Sequence, residues 1–129
     1  MIIRVIIADD QKIIRASLRD LLDQQTNMEV VAEAEDGHEA IELARKFPPD
    51  VLIMDIVMPT LNGIEATRQI KIEAPDVKII ALSMYGDSQY VKGMLDAGAS
   101  GYLLKKSAFE ELVQAIRAVT AGQSYLVWG

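Results

Sequence analysis

Short apolar runs rich in β-branched residues alternate along the whole chain with longer stretches in which apolar residues return every three or four positions. Ile2–Ala8, Met28–Ala34, Val51–Asp55, Lys78–Ser83 and Gly101–Lys105 are too short for helices and predict five strands. Between and after them, five amphipathic stretches predict helices. These are Lys12–Gln24, with Ile14, Leu18, Leu21 and Leu22 on one face, and Gly37–Phe47, with Ala40, Leu43, Ala44 and Phe47. The third starts near Asn62-Gly63 and carries Ile64, Thr67, Ile70 and Ala74; the fourth, Asp87–Ala97, is weaker; the last, Ala108–Ala121, shows Phe109, Leu112, Val113, Ile116 and Val119. Pro48-Pro49 stops the second helix and Pro75 the third, because proline lacks the N–H a helix needs. Gly98 suits the C-terminal cap of the fourth helix, and Gly122 closes the last.

Strands apolar on both faces belong in a sheet covered by helices on both sides, and such sheets are parallel. Right-handed crossovers then favour a doubly wound α/β fold, a five-stranded flavodoxin-like sheet in the order 2-1-3-4-5. Residues 1–122 are read as one domain, and 123–129 as a tail or the start of a linker to an output domain. The expected site lies at the carboxyl ends of strands 1 and 3, where the strand order reverses.

Composition narrows the function. Of the 129 residues, half are hydrophobic and a quarter charged, the balance of a globular protein, and no apolar run approaches the roughly 20 residues that cross a bilayer. The apolar start runs straight into Asp9-Asp10 with no small-residue cleavage site, so it reads as a buried strand and not as a signal peptide. The absence of cysteine excludes disulfides, thiolate catalysis and Cys-type zinc. With 19 acidic against 13 basic residues the net charge is −6, and there is no basic cluster for nucleic acid; Lys105-Lys106 is the densest positive spot. A cytoplasmic protein that binds neither DNA nor membrane by itself is expected.

Chemistry concentrates where the topology places the site. Asp9 and Asp10 close strand 1 and Asp55 closes strand 3, its neighbour in the expected order. Three carboxylates packed together cannot all stay ionised without a positive partner. Mg²⁺ suits them, since it takes one or two carboxylates, several waters and a phosphate oxygen. Ser83 ends strand 4 and Lys105 ends strand 5, both toward the same edge. A carboxylate flanked by a cation, a lysine and a hydroxyl describes a phosphoryl-transfer site with Asp55 as nucleophile.

These residues resemble, in register and over nearly the whole chain, the receiver domains of two-component response regulators. The resemblance rests on Asp9-Asp10, on Asp55 with Met58-Pro59 and Gly63 beyond it, and on Ser83, Tyr102 and Lys105. It implies that Asp55 accepts a phosphoryl group from a histidine kinase, with Mg²⁺ held by Asp9, Asp10, Asp55 and the backbone carbonyl of Val57. Ser83 would bond the attached phosphoryl group, and Tyr102 would turn from exposed to buried and reshape the face made by the fourth helix, fifth strand and last helix. Gly101-Tyr102-Leu103-Leu104-Lys105 and Ala121-Gly122-Gln123-Ser124-Tyr125-Leu126 resemble the LuxR-type (NarL/FixJ) class, whose members usually continue into a helix-turn-helix domain. A phosphorylation-dependent homodimer is compatible with that class. Ser83 stands where many members carry threonine, and Lys106 where many carry a proline in a cis peptide, a conformation costly before any other residue.

Other residues are read plainly. His38 is a solvated histidine at a helix start; Met54, Met58, Met84 and Met94 fill core and loop gaps; Trp128 belongs to the tail; Arg15, Arg19, Lys71 and Lys92 are solvated helix faces. Val57 and Tyr85 are expected to flank the path of an attacking water. Two rival functions share the sheet. A haloacid-dehalogenase-type phosphatase places its nucleophile after strand 1 in an Asp-x-Asp pattern with a cap insertion, whereas here Asp9 and Asp10 are adjacent and no insertion is present. A flavodoxin-type cofactor module needs a phosphate cradle in the first loop, where Asp9-Asp10 would repel the phosphate. A receiver that has lost phosphotransfer and serves only as an interaction domain is disfavoured by the complete set of acids, hydroxyl and lysine.

Overall fold

Each strand alternates between two buried faces, and that alternation builds the molecule. The computed structural model describes residues 1–84 and 86–127; Tyr85 and Trp128, singled out above, lie outside the described residues. The strands are β1 (Ile3–Ala8), β2 (Met28–Ala34), β3 (Val51–Asp55), β4 (Lys78–Ser83), β5 (Gly101–Leu104) and β6 (Tyr125–Leu126). The helices are α1 (Lys12–Asp23), α2 (Gly37–Lys46), α3 (Gly63–Glu73), α4 (Ser88–Ala97) and α5 (Ala108–Thr120). All strand pairings are parallel, in the order β2-β1-β3-β4-β5-β6.

Ile3, Val5, Ile7, Ile53, Ile80, Leu82 and Leu103 face one layer, where Leu18 and Leu22 of α1 pack with Leu112, Ile116 and Val119 of α5. Ile6, Ala8, Leu52, Met54, Ile79, Ala81 and Tyr102 face the other, against Ala40 and Ile41 of α2, Ala66 and Ile70 of α3, and Val91 and Met94 of α4. The central strands β1, β3 and β4 are covered on both sides, which is why they read as continuous apolar runs.

The sequence predicts five strands, and the structure has a sixth. After α5 the chain turns at Gly122, and Tyr125 N–H and Val127 N–H donate to Ser100 O (3.0 Å) and Tyr102 O (2.8 Å). Two residues carry too little periodicity to announce a strand. Their pairing comes from the open edge of β5, whose backbone groups lacked partners. β5 is thus an inner strand, and Tyr102 does not sit at the sheet's edge.

Helix ends follow local chemistry. Asp36 and Asn62 accept hydrogen bonds from Glu39 N–H and Glu65 N–H at the starts of α2 and α3. Gly98 ends α4 with φ 111°, a left-handed conformation open to glycine at no steric cost. Among the described residues no peptide is cis, so the Lys105–Lys106 bond is trans. No helix among them is long and apolar enough to cross a membrane.

Candidate functional site

The ends of β1 and β3 bring Asp9, Asp10 and Asp55 together, with one carboxylate oxygen from each lying within 4.8 Å of the others. Asp9 is held on almost every side. Its N–H donates to Ala34 O (3.0 Å), its carbonyl accepts from Arg15 Nη1 (2.7 Å), and its Oδ1 accepts from Gln11 N–H (2.8 Å). Only its buried Oδ2 accepts no hydrogen bond; Lys105 Nζ lies 3.0 Å away as an ion pair. Asp10 is exposed, and Asp55 is 4% exposed at the end of β3. A buried carboxylate oxygen lacking a hydrogen bond, beside two further acids, is a donor set that fits a hard divalent cation.

Asp55 is placed by its backbone as well. Gly63 N–H donates to Ile56 O (2.8 Å), and a Cβ on Gly63 would stand 2.0 Å from Asp55 O. Only glycine lets α3 begin this close to the strand end. Between them Thr60 has φ 65°, a strained conformation for a β-branched residue, within the loop that returns the chain to α3.

Lys105 follows β5 in a short 3₁₀ turn, Lys105–Ser107, and its side chain is only 8% exposed. Its Nζ lies 3.5 Å from Asp55 Oδ2 and donates to Gln11 Oε1 at 3.0 Å. One ammonium does not offset this many acids. Burial, then the charge of Asp9, push the Asp55 carboxyl up to about 7, with Lys105 opposing and Asp10 adding to the rise.

Asp10, Gln11, Asp55, Val57, Ser83, Met84 and Lys105 line a cavity of about 180 Å³ above Asp55. Ser83, at the end of β4, is buried and hydrogen-bonded to the Tyr102 hydroxyl. Tyr102, expected to be exposed before phosphorylation, is already fully buried in the unmodified chain; loss of hydration holds its phenol above the usual range, and the Ser83 bond acts the other way.

Asp10, Asp55, Lys105, Ser83 and Val57 therefore meet at one cavity, with Asp9 buried beside it in the acid cluster and Tyr102 joined to it through Ser83. Other expectations need correction. Met84 does not fill a gap: it is 67% exposed at the cavity mouth, while Met54, Met58 and Met94 are buried. Phe109, expected on the apolar face of α5, is exposed. Lys71 is not free in solvent, since its Nζ donates to Pro75 O (2.6 Å) and Val77 O (2.9 Å). Arg15 is buried under the acid loop. Its position carried a signal, because residues 15, 18 and 22 share one helical stripe with Leu18 and Leu22 in the core. Gln11 also joins the site, and its cue in the sequence is a polar residue directly after two acids. His38 is exposed, as expected.

Comparison with known proteins agrees with this geometry. The family model of the response regulator receiver domain matches residues 5–117. The chain is 44% identical over 124 residues to the transcriptional regulatory protein DegU of Brevibacillus brevis, covering 96% of this chain and 52% of that protein. It is 45% identical over 122 residues to the uncharacterized transcriptional regulatory protein YxjL of Bacillus subtilis (strain 168), covering 95% and 56%. The chain thus spans a little over half the length of these relatives. Among solved structures, a LuxR-family two-component response regulator from Aurantimonas sp. SI85-9A1 superposes with TM-score 0.92 at 39% identity, covering 97% of this chain and 89% of that one. The isolated receiver domain of RcsB from Salmonella enterica serovar Typhimurium, solved with the phosphomimetic BeF₃⁻, gives 0.90 at 32% identity, covering 98% and 94%. With these matches resting on the same fold that carries the acid cluster, the chain belongs to the receiver domains of two-component response regulators, in the company of LuxR-family members.

Proposed function

We propose that Asp55 accepts a phosphoryl group from a sensor histidine kinase, with Mg²⁺ as cofactor, and that the modified domain controls transcription through a helix-turn-helix output. The observation that carries this reading is the cavity over Asp55, where a buried carboxylate, Lys105 at 3.5 Å and the Ser83 side chain converge. Asp9, Asp10, Asp55 and the backbone carbonyl of Val57 would hold Mg²⁺, which supplies neutralising charge for a transferring phosphoryl group. An Asp55 carboxylate oxygen attacks phosphorus, the bond to the donor breaks, and an acyl phosphate remains. Lys105 pairs with a phosphoryl oxygen instead of with Asp9.

Ser83 then donates to the phosphoryl group, and its hydroxyl oxygen stays available to the Tyr102 hydroxyl. The buried Tyr102 is the inward position of the proposed switch, and the surface it reshapes includes α4, α5 and β6 beside β5. Val57, 54% exposed at the cavity mouth, is too apolar to orient an attacking water, which supports slow self-dephosphorylation. The similarity to DegU and YxjL, both transcriptional regulatory proteins by name, supports the output, and a net charge of −6 disfavours DNA contact by this domain itself. A cytoplasmic location and phosphorylation-dependent pairing of two copies complete the reading.

The test is incubation with Mg²⁺ and acetyl phosphate, followed by mass spectrometry. One phosphoryl group should be added and then lost at alkaline pH, as acyl phosphates are. Asp55→Asn should take up none; undiminished labelling of that variant overturns the assignment.

A further inference from the structure

We infer that Arg15 is a positioning residue for the cation site, fixing the aim of Asp9 and Asp10 from behind while touching no reacting group; the inference rests on the reading of the acid cluster as a Mg²⁺ site. Arg15 is 7% exposed, an unusual place for a guanidinium. Its three nitrogens serve three different partners. Nη1 donates to the Asp9 carbonyl at 2.7 Å, Nε to Glu33 Oε1 at 3.3 Å, and Nη2 lies 3.6 Å from Glu35 Oε1. Glu33 is in turn gripped by Arg19 Nη1 at 2.6 Å, so the anchor on β2 is itself held.

The consequence falls on the loop between β1 and α1. The Asp9 carbonyl belongs to the peptide that links Asp9 to Asp10, and Asp10 is the exposed member of the acid set. The Asp9 carboxylate has its own restraint, through Gln11 N–H on Oδ1. The contact that holds the following peptide is the one from Arg15. A carbonyl pinned at 2.7 Å by a buried, doubly paired guanidinium cannot rotate freely, and the direction in which Asp10 leaves the backbone depends on it. The rigid planar fork spreads its donors over three nitrogens in fixed directions, a spacing that the point-like ammonium of lysine does not reproduce. Groups that orient metal ligands from behind commonly cost 10–100-fold in affinity when removed.

The experiment measures Mg²⁺ affinity and stability separately, using backbone amide shifts of Asp10, Gln11 and Val57 during Mg²⁺ titration, and urea unfolding. Arg15→Met keeps the aliphatic bulk and loses the fork; it should bind Mg²⁺ at least about tenfold more weakly. Arg15→Lys should recover little of that. Leu18→Ala, on the same helix stripe and fully in the core, should lose stability while keeping wild-type Mg²⁺ affinity. If Arg15→Met does not fold, Glu33→Gln, which loosens the fork and leaves Arg15 in place, should show a smaller fall in affinity. Wild-type affinity in the folded Arg15 variants overturns the inference, as does an equal loss in Leu18→Ala, which would make Arg15 a stability residue only. A wild-type chain that took up no Mg²⁺ would instead overturn the metal reading beneath it.

Discussion

The two sides of the cavity are built differently. On the β1–β3 side, Asp9 is pinned by Ala34, Gln11 and Arg15, and the Asp55 backbone by the close approach of Gly63. On the β4–β5 side, Ser83 and Tyr102 interact through their hydroxyls, and Met84 stands exposed above them. A wider opening of about 580 Å³, lined by Val57, Met84, Gly86, Asp87 and Tyr90, continues from that side. One side holds charge still, where a shift of an ångström would spoil a cation site. The other opens to solvent at Met84, and a phosphoryl group on Asp55 would bias it toward one arrangement by its differential affinity.

The sharpest way to break the pinned side is Gly63→Ala. The added Cβ has no room beside Asp55 O, so the strand end or α3 must move. A loss of about 3 kcal/mol in urea unfolding is expected, together with slower phosphorylation. Wild-type stability would show that the loop yields more easily than its packing suggests. Asp10→Ala comes next. It should weaken Mg²⁺ binding roughly tenfold or more and slow phosphorylation, with stability unchanged or raised because one repelling acid is gone. Titration with Mg²⁺ checks the first effect and urea the second.

Protonation sharpens the same contrast. The Asp55 carboxyl sits at about 7 in the folded chain against an ordinary value near 3.8. Between those values the folded state holds the proton more often than the unfolded state, so this group makes stability fall as pH rises from about 4 to about 7. Above that window the penalty is complete. Asp55→Asn should therefore be more stable than wild type at neutral and higher pH, the difference vanishing below pH 4. Saturating Mg²⁺ should shrink it. Parallel urea curves for the two proteins across pH measure the effect; a difference independent of pH would place the strain elsewhere.

The β4–β5 side is tested by Ser83→Ala. Phosphate should still reach Asp55, since the pinned side is intact. Amides from Gly86 to Lys105 should respond less to BeF₃⁻ plus Mg²⁺ than in wild type, as seen by NMR. A full wild-type response would remove the hydroxyl from the signal path. The smallest effect is expected at Tyr125→Phe. Its hydroxyl bonds Glu111 on α5, and losing that bond should speed exchange of the Val127 amide without altering phosphorylation. Slowed phosphorylation in this variant would mean that β6 reaches the site more strongly than its position implies.

Much of this was legible in residue order alone. Apolar runs bounded by acids placed β1 and β3, and the reversal of strand order between them named the site before any coordinate did. Asp9, Asp10, Asp55, Ser83 and Lys105 were readable because strand ends in a parallel sheet project to one edge. What stayed hidden had non-local causes. β6 exists because β5 had an open edge, which no feature of Tyr125–Leu126 announces. Lys71 left solvent for two carbonyls beyond its own helix, and Arg15 was drawn inward by Glu33 on β2 and Glu35 just after it.

Periodicity and local chemistry are properties of neighbouring residues, so the sequence by itself determined β1 to β5, the five helices, the two-faced sheet and the acids that converge at its edge. Burial of a charge depends on partners that arrive from distant segments. Only the tertiary structure decided that Asp9 keeps one oxygen without a hydrogen bond, that burial and neighbouring acids push the Asp55 carboxyl up to about 7, and that a buried arginine bonds the Asp9 carbonyl.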